Sequence, residues 1–236
     1  MKTVIITGAS RGIGRALAIK FKQKNYNVIG TYLNSYDDAT YLKNNYGVDI
    51  RRLNVSNFND VNSFFDSVIK DYSKIDIVFN NAGVSKGQKF IADVTESEFD
   101  DIVSTNFKGA FNVLRKSVET MLYNGGKIIN TSSIYTLKGG SCEAVYTATK
   151  YALNGLTKSV SEEISSSKLQ VATAILGLID TDMNKNLTMD EKLEFIKGIG
   201  LSEIPTANDV AEEIFKLVTE ELDLNGKEFK IFTGNM

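Results

Sequence analysis

Short runs of β-branched and apolar residues alternate along the chain with longer segments whose apolar residues recur at helical spacing. The runs that we predict to be strands are residues 3–7, 27–32, 48–53, 75–79, 127–130, 169–176 and 229–232. The predicted helices are residues 14–24, 37–46, 60–72, 107–122, 144–165 and 207–222. Most of the strands are unbroken apolar runs, which is typical of strands covered on both faces. The pattern therefore predicts an α/β fold, with right-handed crossovers that build a doubly wound parallel sheet flanked by helices on both faces.

The chain has 236 residues, of which 42% are hydrophobic and 24% are charged. This is the composition of a globular domain with one substantial core, and a single proline, Pro205, argues against a linker. We therefore expect one domain over residues 1–236. The net charge of −2 offers no basic surface for nucleic acid, and no apolar stretch is long enough to span a membrane.

The chain contains no histidine, and its only cysteine is Cys142. A Ser-His-Asp triad, a Cys-His pair and zinc sites that contain histidine are therefore excluded, and we expect no metal site. Proton transfer near neutral pH must use a residue whose pKa the protein has shifted. A single cysteine forms no intrachain disulfide, which fits a protein of the reducing cytoplasm.

A glycine-rich turn follows the first predicted strand and leads into a helix, with the sequence Thr7-Gly8-Ala9-Ser10-Arg11-Gly12-Ile13-Gly14. Glycines at such a turn let the backbone approach a pyrophosphate that sits on the helix N-terminus. The spacing is Gly-x-x-x-Gly-x-Gly rather than the commoner Gly-x-Gly-x-x-Gly. The turn therefore predicts a dinucleotide site, and the alternative is a tight turn without a ligand.

The end of the second predicted strand bears on the choice of cofactor. An acidic residue there would bind the ribose 2′-hydroxyl and repel a 2′-phosphate. The strand ends in Thr31-Tyr32-Leu33-Asn34 without a carboxylate, and we interpret Asp37 and Asp38 as first-turn residues of the next helix. Arg11 could face a 2′-phosphate, unless it is simply solvated. We therefore predict NADP (NADPH) in preference to NAD.

A tyrosine and a lysine, Tyr146 and Lys150, stand at positions i and i+4 of a predicted helix. A free tyrosine has a pKa of about 10, and a nearby cation favours the phenolate. Lys150 and an oxidised nicotinamide together could lower the pKa of Tyr146, so that the phenol exchanges a proton with a carbonyl oxygen while hydride reaches the carbon. The alternative is an ordinary surface contact. A second pair at this spacing, Tyr123 and Lys127, is separated by a turn-like sequence and is the weaker candidate.

Polar residues also follow two other predicted strands, in Asn80-Asn81-Ala82-Gly83 and Asn130-Thr131-Ser132-Ser133. Taken alone, each segment could be turn or cap chemistry. Together and in this order, the motifs from residue 3 to the end of the chain resemble those of the short-chain dehydrogenase/reductase family. The resemblance implies a Rossmann-type single domain.

The resemblance also implies roles for individual residues. Ser133 lies 13 residues before Tyr146, as the catalytic serine of the family does. Tyr146 matches the acid/base, Lys150 matches the residue that binds the nicotinamide ribose and lowers the tyrosine pKa, and Asn106 matches the asparagine that holds a proton-relay water. The expected cofactor-binding residues are Gly8, Ser10, Arg11, Gly12, Ile13, Gly14, Asn34, Asn54, Val55, Asn81, Ala82, Gly83, Tyr146, Lys150, Gly177, Ile179 and Thr181.

The sequence departs from the family pattern in three places. Leu176-Gly177 stands where Pro-Gly is common, and Asn54-Val55 stands where an aspartate often contacts adenine. The tail after Phe232 is shorter than the one that many relatives use at a tetramer contact. We still expect a homotetramer or homodimer that pairs through the helices at 107–122 and 144–165, as is usual in the family.

The overall similarity is highest to bacterial 3-oxoacyl-[acyl-carrier-protein] reductases. This resemblance implies NADPH-dependent reduction of a ketone to a secondary alcohol, with a substrate that is either a small molecule or an acyl thioester on acyl carrier protein. Residues 180–205 correspond to a substrate lid and residues 85–90 to the opposite rim. The lid residues Lys185, Leu187, Met189, Phe195 and Ile196 would suit an acyl chain, or would simply pack a short lid helix. An NAD-linked sugar or polyol dehydrogenase and a non-catalytic dinucleotide-binding regulatory protein are the alternatives.

Overall fold

The computed structural model describes residues 1–184, 187–198 and 202–232, and its seven strands form one parallel sheet. The order across the sheet is β3-β2-β1-β4-β5-β6-β7, which reverses direction between β1 and β4. The strands are β1 (Thr3–Ile6), β2 (Asn27–Tyr32), β3 (Asp49–Arg52), β4 (Ile77–Asn80), β5 (Gly126–Ser133), β6 (Leu169–Leu176) and β7 (Glu228–Ile231). The predicted doubly wound parallel sheet is therefore confirmed.

Helices connect the strands and cover both faces of the sheet. They are α1 (Gly12–Gln23), α2 (Tyr36–Tyr46), α3 (Phe58–Tyr72), α4 (Glu96–Val103), α5 (Ala110–Met121), α6 (Tyr135–Lys138), α7 (Ala144–Glu163), α8 (Met189–Lys197) and α9 (Ala207–Thr219). A π-helical turn, Ser104–Gly109, joins α4 to α5, and short 3-10 turns lie at Ile91–Asp93 and Asp182–Asn184.

Each face of the sheet packs against its own apolar cluster, which explains why most strands read as unbroken apolar runs. On one face, α1 and α9 enclose Phe21, whose ring lies 5.3 Å from that of Phe79 and 5.0 Å from that of Phe215. On the other face, α3, α5 and α7 bury side chains such as Phe65 and Val78. The two layers of helices hold the carboxyl ends of the strands in fixed positions along one edge.

Several predicted elements differ in extent from those in the structure. Strand β5 runs to Ser133 instead of Asn130, because its polar last residues pair with β6 through their backbone. The helix predicted at 107–122 is preceded by α4, whose charged sequence hides its helical character but which begins with a capping box between Thr95 and Glu98. Helices α6 and α8 were not predicted as separate elements, and the lid residue Lys185 lies outside the described residues.

Within the part of the chain that the structure describes, we find no helix that is both long and apolar enough to cross a membrane. The same residues contain no group of three or more histidine, cysteine, aspartate or glutamate side chains placed to hold a metal ion.

Candidate active site

A cleft opens at the carboxyl ends of the strands, where parallel sheets of this kind bind their ligands. Its walls come from the segments that follow β4, β5 and β6, from the start of α1 and α7, and from α8. The lining residues are Ile13, Asn81, Gly83, Ser85, Gly87, Gln88, Thr131, Ser132, Ser133, Ile134, Tyr135, Glu143, Tyr146, Lys150, Leu176, Gly177, Leu178, Ile179, Thr181, Met183, Asn184, Leu187 and Phe195.

The glycine turn before α1 has a backbone that side chains would not permit. Gly8 and Gly12 have φ angles of +68° and +55°, and a Cβ on Gly14 would lie 2.2 Å from the carbonyl oxygen of Gly8. Arg11, the N-cap residue of α1, provides no side-chain cap, so the first N–H groups of the helix stay available to a ligand. This close approach of backbone and free N–H donors fits the pyrophosphate of a dinucleotide.

The turn after β4 is hydrogen-bonded to the glycine turn. The N–H groups of Asn81 and Ala82 donate to the hydroxyl oxygen of Thr7, at 2.9 and 3.0 Å, and the Asn81 side-chain amide donates to the Thr7 carbonyl oxygen at 3.0 Å. Gly83 follows, and a Cβ there would lie 3.4 Å from Oδ1 of Asn106 and 3.7 Å from Nζ of Lys150. Gly83 therefore brings the expected cofactor turn, the asparagine and the lysine to one place.

Tyr146 and Lys150 lie one turn apart on α7, and both side chains line the cleft. The Nζ atom of Lys150 is 5.4 Å from the centre of the Tyr146 ring and donates a hydrogen bond of 2.8 Å to the carbonyl oxygen of Thr131. Lys150 is 4% exposed, so its ammonium is almost entirely removed from water. The structure thus brings this pair together beside the end of β5.

The protein alone shifts the pKa of Tyr146 upward, contrary to the direction that we expect from Lys150. Burial of the phenol and the carboxylate of Glu143 raise the pKa of Tyr146, and a hydrogen bond with the Ser133 side chain only partly opposes them. Burial also lowers the pKa of Lys150 to about 8. Removal from water thus dominates the effect of the protein on the pKa of Tyr146, and the positive charge of an oxidised nicotinamide would act in the opposite direction.

The two serines at the end of β5 have different environments. The Ser133 side chain lines the cleft with Tyr146 and acts to lower the pKa of its phenol, and its Oγ accepts a hydrogen bond of 3.3 Å from the N–H of Tyr135. The Ser132 hydroxyl is buried and has no hydrogen-bond partner among the described residues. Ser133 is therefore the serine that the structure holds against Tyr146.

Asn106 lies in the π-helical turn and is buried. Its side-chain amide donates to the carbonyl oxygen of Val84 and its Oδ1 accepts from the N–H of Val84, each at 2.8 Å. The side chain therefore holds the segment after β4 in place from behind the cleft, since Asn106 is not among the lining residues.

The remaining predicted cofactor residues fall into two groups. Ile13, Gly177, Ile179 and Thr181 line the cleft, and Cγ2 of Thr181 lies 3.6 Å from the position that a Cβ on Gly12 would take. The other group lies outside the lining.

Of that second group, Ser10 is buried in the glycine turn, whereas Arg11 and Asn34 are exposed and make no side-chain hydrogen bond within the described chain. The Asn54 side chain accepts from Ser56, and Val55 packs beside Gly109.

Sequence reasoning did not assign two of the residues that line the cleft beside Tyr146. Glu143 precedes Tyr146 by three residues, and this short separation along the chain could have drawn attention to it. Tyr135 follows Ser133 by two residues, and its ring meets that of Tyr146 edge to face at 6.3 Å.

Residues of the expected lid close the other side of the cleft. The Phe195 ring on α8 meets the Tyr135 ring at 5.9 Å, and Leu187 also lines the cleft. The buried Nζ atom of Lys192 pairs with Asp180 at 2.9 Å, which joins α8 to the segment after β6. Ile196 is buried and Met189 is exposed, so α8 packs part of its apolar face and leaves the rest open.

Comparison with known proteins identifies the family. Residues 2–192 match the family model described as short chain dehydrogenase. The chain belongs to this family. It is therefore an NAD(P)-dependent short-chain oxidoreductase that acts on CH–OH and C=O groups.

Among curated relatives, the 3-oxoacyl-[acyl-carrier-protein] reductase FabG of Staphylococcus aureus is 32% identical over 226 residues, which cover 93% of this chain and 92% of the relative. The FabG protein of Chlamydia trachomatis is 31% identical and covers 93% of this chain and 90% of its own. The similarity thus extends over nearly the full length of both proteins.

Solved structures show the same architecture. ElxO with NADP bound superimposes with a TM-score of 0.83 at 25% identity, covering 99% of this chain and 98% of its own. A 3-ketoacyl-(acyl-carrier-protein) reductase from Brucella melitensis, complexed with NADH, gives a TM-score of 0.89 at 23% identity and covers 98% of this chain and 96% of its own. At that identity the second likeness supports the fold alone.

Proposed function

We propose that this protein is an NADPH-dependent reductase that converts a ketone to a secondary alcohol, with Tyr146 as the general acid/base. The observation that carries the proposal is that the Tyr146 phenol and the Ser133 side chain line the same cleft, with the Tyr146 ring centre 5.4 Å from the ammonium nitrogen of Lys150. This constellation lies beside a glycine turn that fits a dinucleotide pyrophosphate.

The catalytic roles follow from where the side chains lie. When bound, the nicotinamide cofactor supplies a hydride for the carbonyl carbon. Tyr146 donates its phenolic proton to the carbonyl oxygen, and the Ser133 hydroxyl donates a hydrogen bond to the same oxygen and orients the substrate. In the reverse direction, Tyr146 takes the proton from the alcohol.

Lys150 and Asn106 support this proton transfer. Lys150, held by the Thr131 carbonyl, keeps a positive charge near the phenol and offers its remaining N–H groups to the cofactor ribose. Asn106 fixes the segment after β4, and its Oδ1 and the Lys150 Nζ both lie within 4 Å of one point beside Gly83. A proton-relay water in this region would have polar partners on both sides.

For the cofactor, we propose NADPH in preference to NADH. Strand β2 ends without a carboxylate, and Asp38 is paired with Arg15. Arg11, at the start of α1, makes no side-chain hydrogen bond with any residue that the structure describes. The presence of NADP in ElxO supports this preference. The Brucella melitensis reductase, which is similar to this chain in fold, is complexed with NADH.

For the substrate, we propose a carbonyl compound of the kind that the FabG relatives are named for, which is a 3-oxoacyl thioester carried by acyl carrier protein. We also propose that the enzyme works in the cytoplasm as a homotetramer or homodimer, in which exposed Phe111 and Tyr151 on α5 and α7 meet their copies. A monomer mass in solution scattering would contradict the oligomer.

The test of the function is NADPH oxidation with an acetoacetyl thioester by the natural protein and by Tyr146→Phe. We expect the substitution to reduce kcat/KM by at least about a hundredfold, because it removes the proton donor while keeping the ring. Equal rates in the two proteins would reject Tyr146 as the acid. Faster alcohol oxidation with NAD than with NADP would instead favour a sugar or polyol dehydrogenase. Tight nucleotide binding without turnover across a broad panel of carbonyls and alcohols would favour a regulatory protein.

A further inference from the structure

Glu143 places a carboxylate in the catalytic cleft. Among the described residues that line the cleft, the only other charged side chain is Lys150, whose ammonium is bonded to Thr131. Glu143 is the N-cap residue of α7, yet its carboxylate makes no cap hydrogen bond to that helix. It accepts a hydrogen bond of 3.1 Å from the Ser85 hydroxyl on the opposite rim instead.

No cation neutralises this carboxylate within the described chain. The two lysines on the same rim are already paired, Lys86 with Asp101 at 2.6 Å and Lys89 with Glu98. Burial raises the pKa of Glu143, and the hydrogen bond from Ser85 opposes this shift only in part. A partly buried carboxylate without a counter-ion costs free energy, which a cationic ligand would recover.

A purely structural role does not account for the charge. Glu143 could tie the rim to α7 through Ser85, but the backbone already does so, because the N–H of Lys89 donates to the carbonyl oxygen of Cys142 at 2.8 Å. A neutral glutamine could accept the Ser85 hydrogen bond equally well. The negative charge therefore needs another explanation.

Aromatic rings surround the same part of the cleft. The Tyr135 ring meets Tyr146 at 6.3 Å and Phe195 at 5.9 Å, and the charge of Glu143 acts on both tyrosines. Aromatic rings beside a carboxylate form a favourable site for an ammonium group. Lys138 lies over Phe195 at 4.1 Å, but it is exposed and does not line the cleft.

We propose that Glu143, with Ser85 and the ring of Tyr135, binds a cationic ammonium group of the substrate while the carbonyl of the same molecule lies at Ser133 and Tyr146. The substrate is then an amino ketone or another ketone with a positive charge a few bonds from the carbonyl, and anionic ketones are disfavoured. This inference rests on the proposed ketone reduction, and it replaces the uncharged 3-oxoacyl thioester with a positively charged ketone as the preferred substrate.

The experiment compares methyl ketones that end in a trimethylammonium group with neutral ketones that end in a tert-butyl group of the same shape. Chains of three to five methylenes cover the range of distances, and the quaternary nitrogen prevents cyclisation onto the carbonyl. We measure kcat/KM with NADPH, and we measure binding to the protein saturated with NADP⁺, where no hydride is available. The variants are Glu143→Gln and, as a matched control, Glu221→Gln, which removes an exposed carboxylate after α9.

We expect the natural protein and Glu221→Gln to prefer one of the cationic ketones over its neutral partner by about tenfold in both measurements. Glu143→Gln should lose the preference while it still reduces the neutral ketone. The proposal is overturned if the preference is absent at every chain length, or if it survives in Glu143→Gln. If no ketone is reduced but the cation still binds through Glu143, the reductase assignment fails while the ammonium site stands.

Discussion

The ammonium of Lys150 donates a hydrogen bond of 2.8 Å to the backbone carbonyl oxygen of Thr131, which joins α7 to the end of β5. Thr131 is followed by the two serines of the cleft, so this bond fixes the position of α7 along β5, the strand that carries Ser133. Lys150 therefore has a positioning role in the fold in addition to its proposed role beside the cofactor. The bond holds a charge in a place almost without water, and that has a measurable cost.

The stability of the cofactor-free protein should therefore depend on pH through Lys150. Burial lowers the pKa of Lys150 from 10.5 to about 8, so between these values the unfolded chain binds a proton that the folded protein does not. Stability should then rise from about pH 8 to about pH 10. Above pH 10 the raised pKa of Tyr146 acts in the opposite direction.

Lys150→Met should remove this rise in stability. At pH 7 the free energy of unfolding should increase by about 3 kcal/mol because no charge is buried, and the loss of the hydrogen bond to Thr131 should offset part of this increase. Urea unfolding at a series of pH values measures the effect. Lys158→Met, on the exposed side of the same helix, is the control. Parallel pH curves for the natural protein and Lys150→Met would contradict the assignment of the rise to this lysine.

The pH dependence of reduction should shift when Glu143 loses its charge. Reduction requires protonated Tyr146, so the rate falls as pH rises through the pKa of that phenol. The carboxylate of Glu143 helps to raise this pKa, so Glu143→Gln should lower it and move the alkaline limb of kcat/KM to lower pH. The acidic limb of alcohol oxidation should move in the same direction. An unchanged profile, measured with a neutral ketone and with Glu221→Gln as the reference, would show that Glu143 does not act on Tyr146.

Much of this arrangement could be predicted because its determinants are local. The glycine turn needs residues without a Cβ, and the strands read as apolar runs because helices cover both faces of the sheet. Both signals lie in consecutive residues. The spacing of Tyr146 and Lys150 likewise becomes a shared helix face as soon as α7 forms.

Other features depend on contacts between distant segments. The polar end of β5 becomes strand because β6 pairs with it, and Asn106 acts through Val84, which is 22 residues away. The carboxylate of Glu143 belongs to the cleft because Ser85, 58 residues earlier, faces it. The direction of the Tyr146 pKa shift depends on how much protein surrounds the phenol, which spacing along a helix does not reveal.

The glycine turn should distinguish two kinds of substitution. A Cβ on Gly14 would meet the Gly8 carbonyl oxygen at 2.2 Å, so Gly14→Ala must displace backbone and should cost about 3 kcal/mol and most of the NADPH affinity. Gly12 has a positive φ, but a Cβ on it would lie 3.6 Å from Cγ2 of Thr181, which is an ordinary contact. Gly12→Ala should therefore lower the free energy of unfolding by only about 1 kcal/mol. Chemical denaturation and NADPH fluorescence titration measure both variants. Equal losses of stability would mean that the backbone clash is relieved elsewhere.

Asn106 should matter for catalysis through the segment that it holds. Asn106→Ala leaves both the N–H and the carbonyl of Val84 without their partner, which should cost about 2 kcal/mol and lower kcat more than it raises KM. Asn112→Ala is the matched control, because this buried asparagine on α5 makes a single bond to the carbonyl of Val55. That variant should lose stability while its kcat stays near that of the natural protein. Similar kcat losses in both variants would point to general loosening of the helix.

Cofactor preference should change with two exposed residues at the start of the nucleotide site. Arg11 and Asn34 make no side-chain hydrogen bond among the residues described here, so both are free to meet the adenine ribose. Arg11→Gln should weaken NADPH binding by about tenfold and leave NADH binding unchanged, because only NADPH carries the 2′-phosphate that an arginine would pair with.

Asn34→Asp should act on the same preference from the other side. A carboxylate just after β2 would accept a hydrogen bond from the 2′-hydroxyl of NADH and repel the 2′-phosphate of NADPH. The double variant Arg11→Gln/Asn34→Asp should therefore bind NADH more tightly than NADPH. Calorimetric titration with both cofactors measures the ratio, and Arg115→Gln, whose guanidinium lies 4.4 Å from the Phe58 ring on another part of the surface, is the control. A parallel loss of both affinities in Arg11→Gln would mean that Arg11 contacts the pyrophosphate common to the two cofactors, and that another group reads the 2′-position.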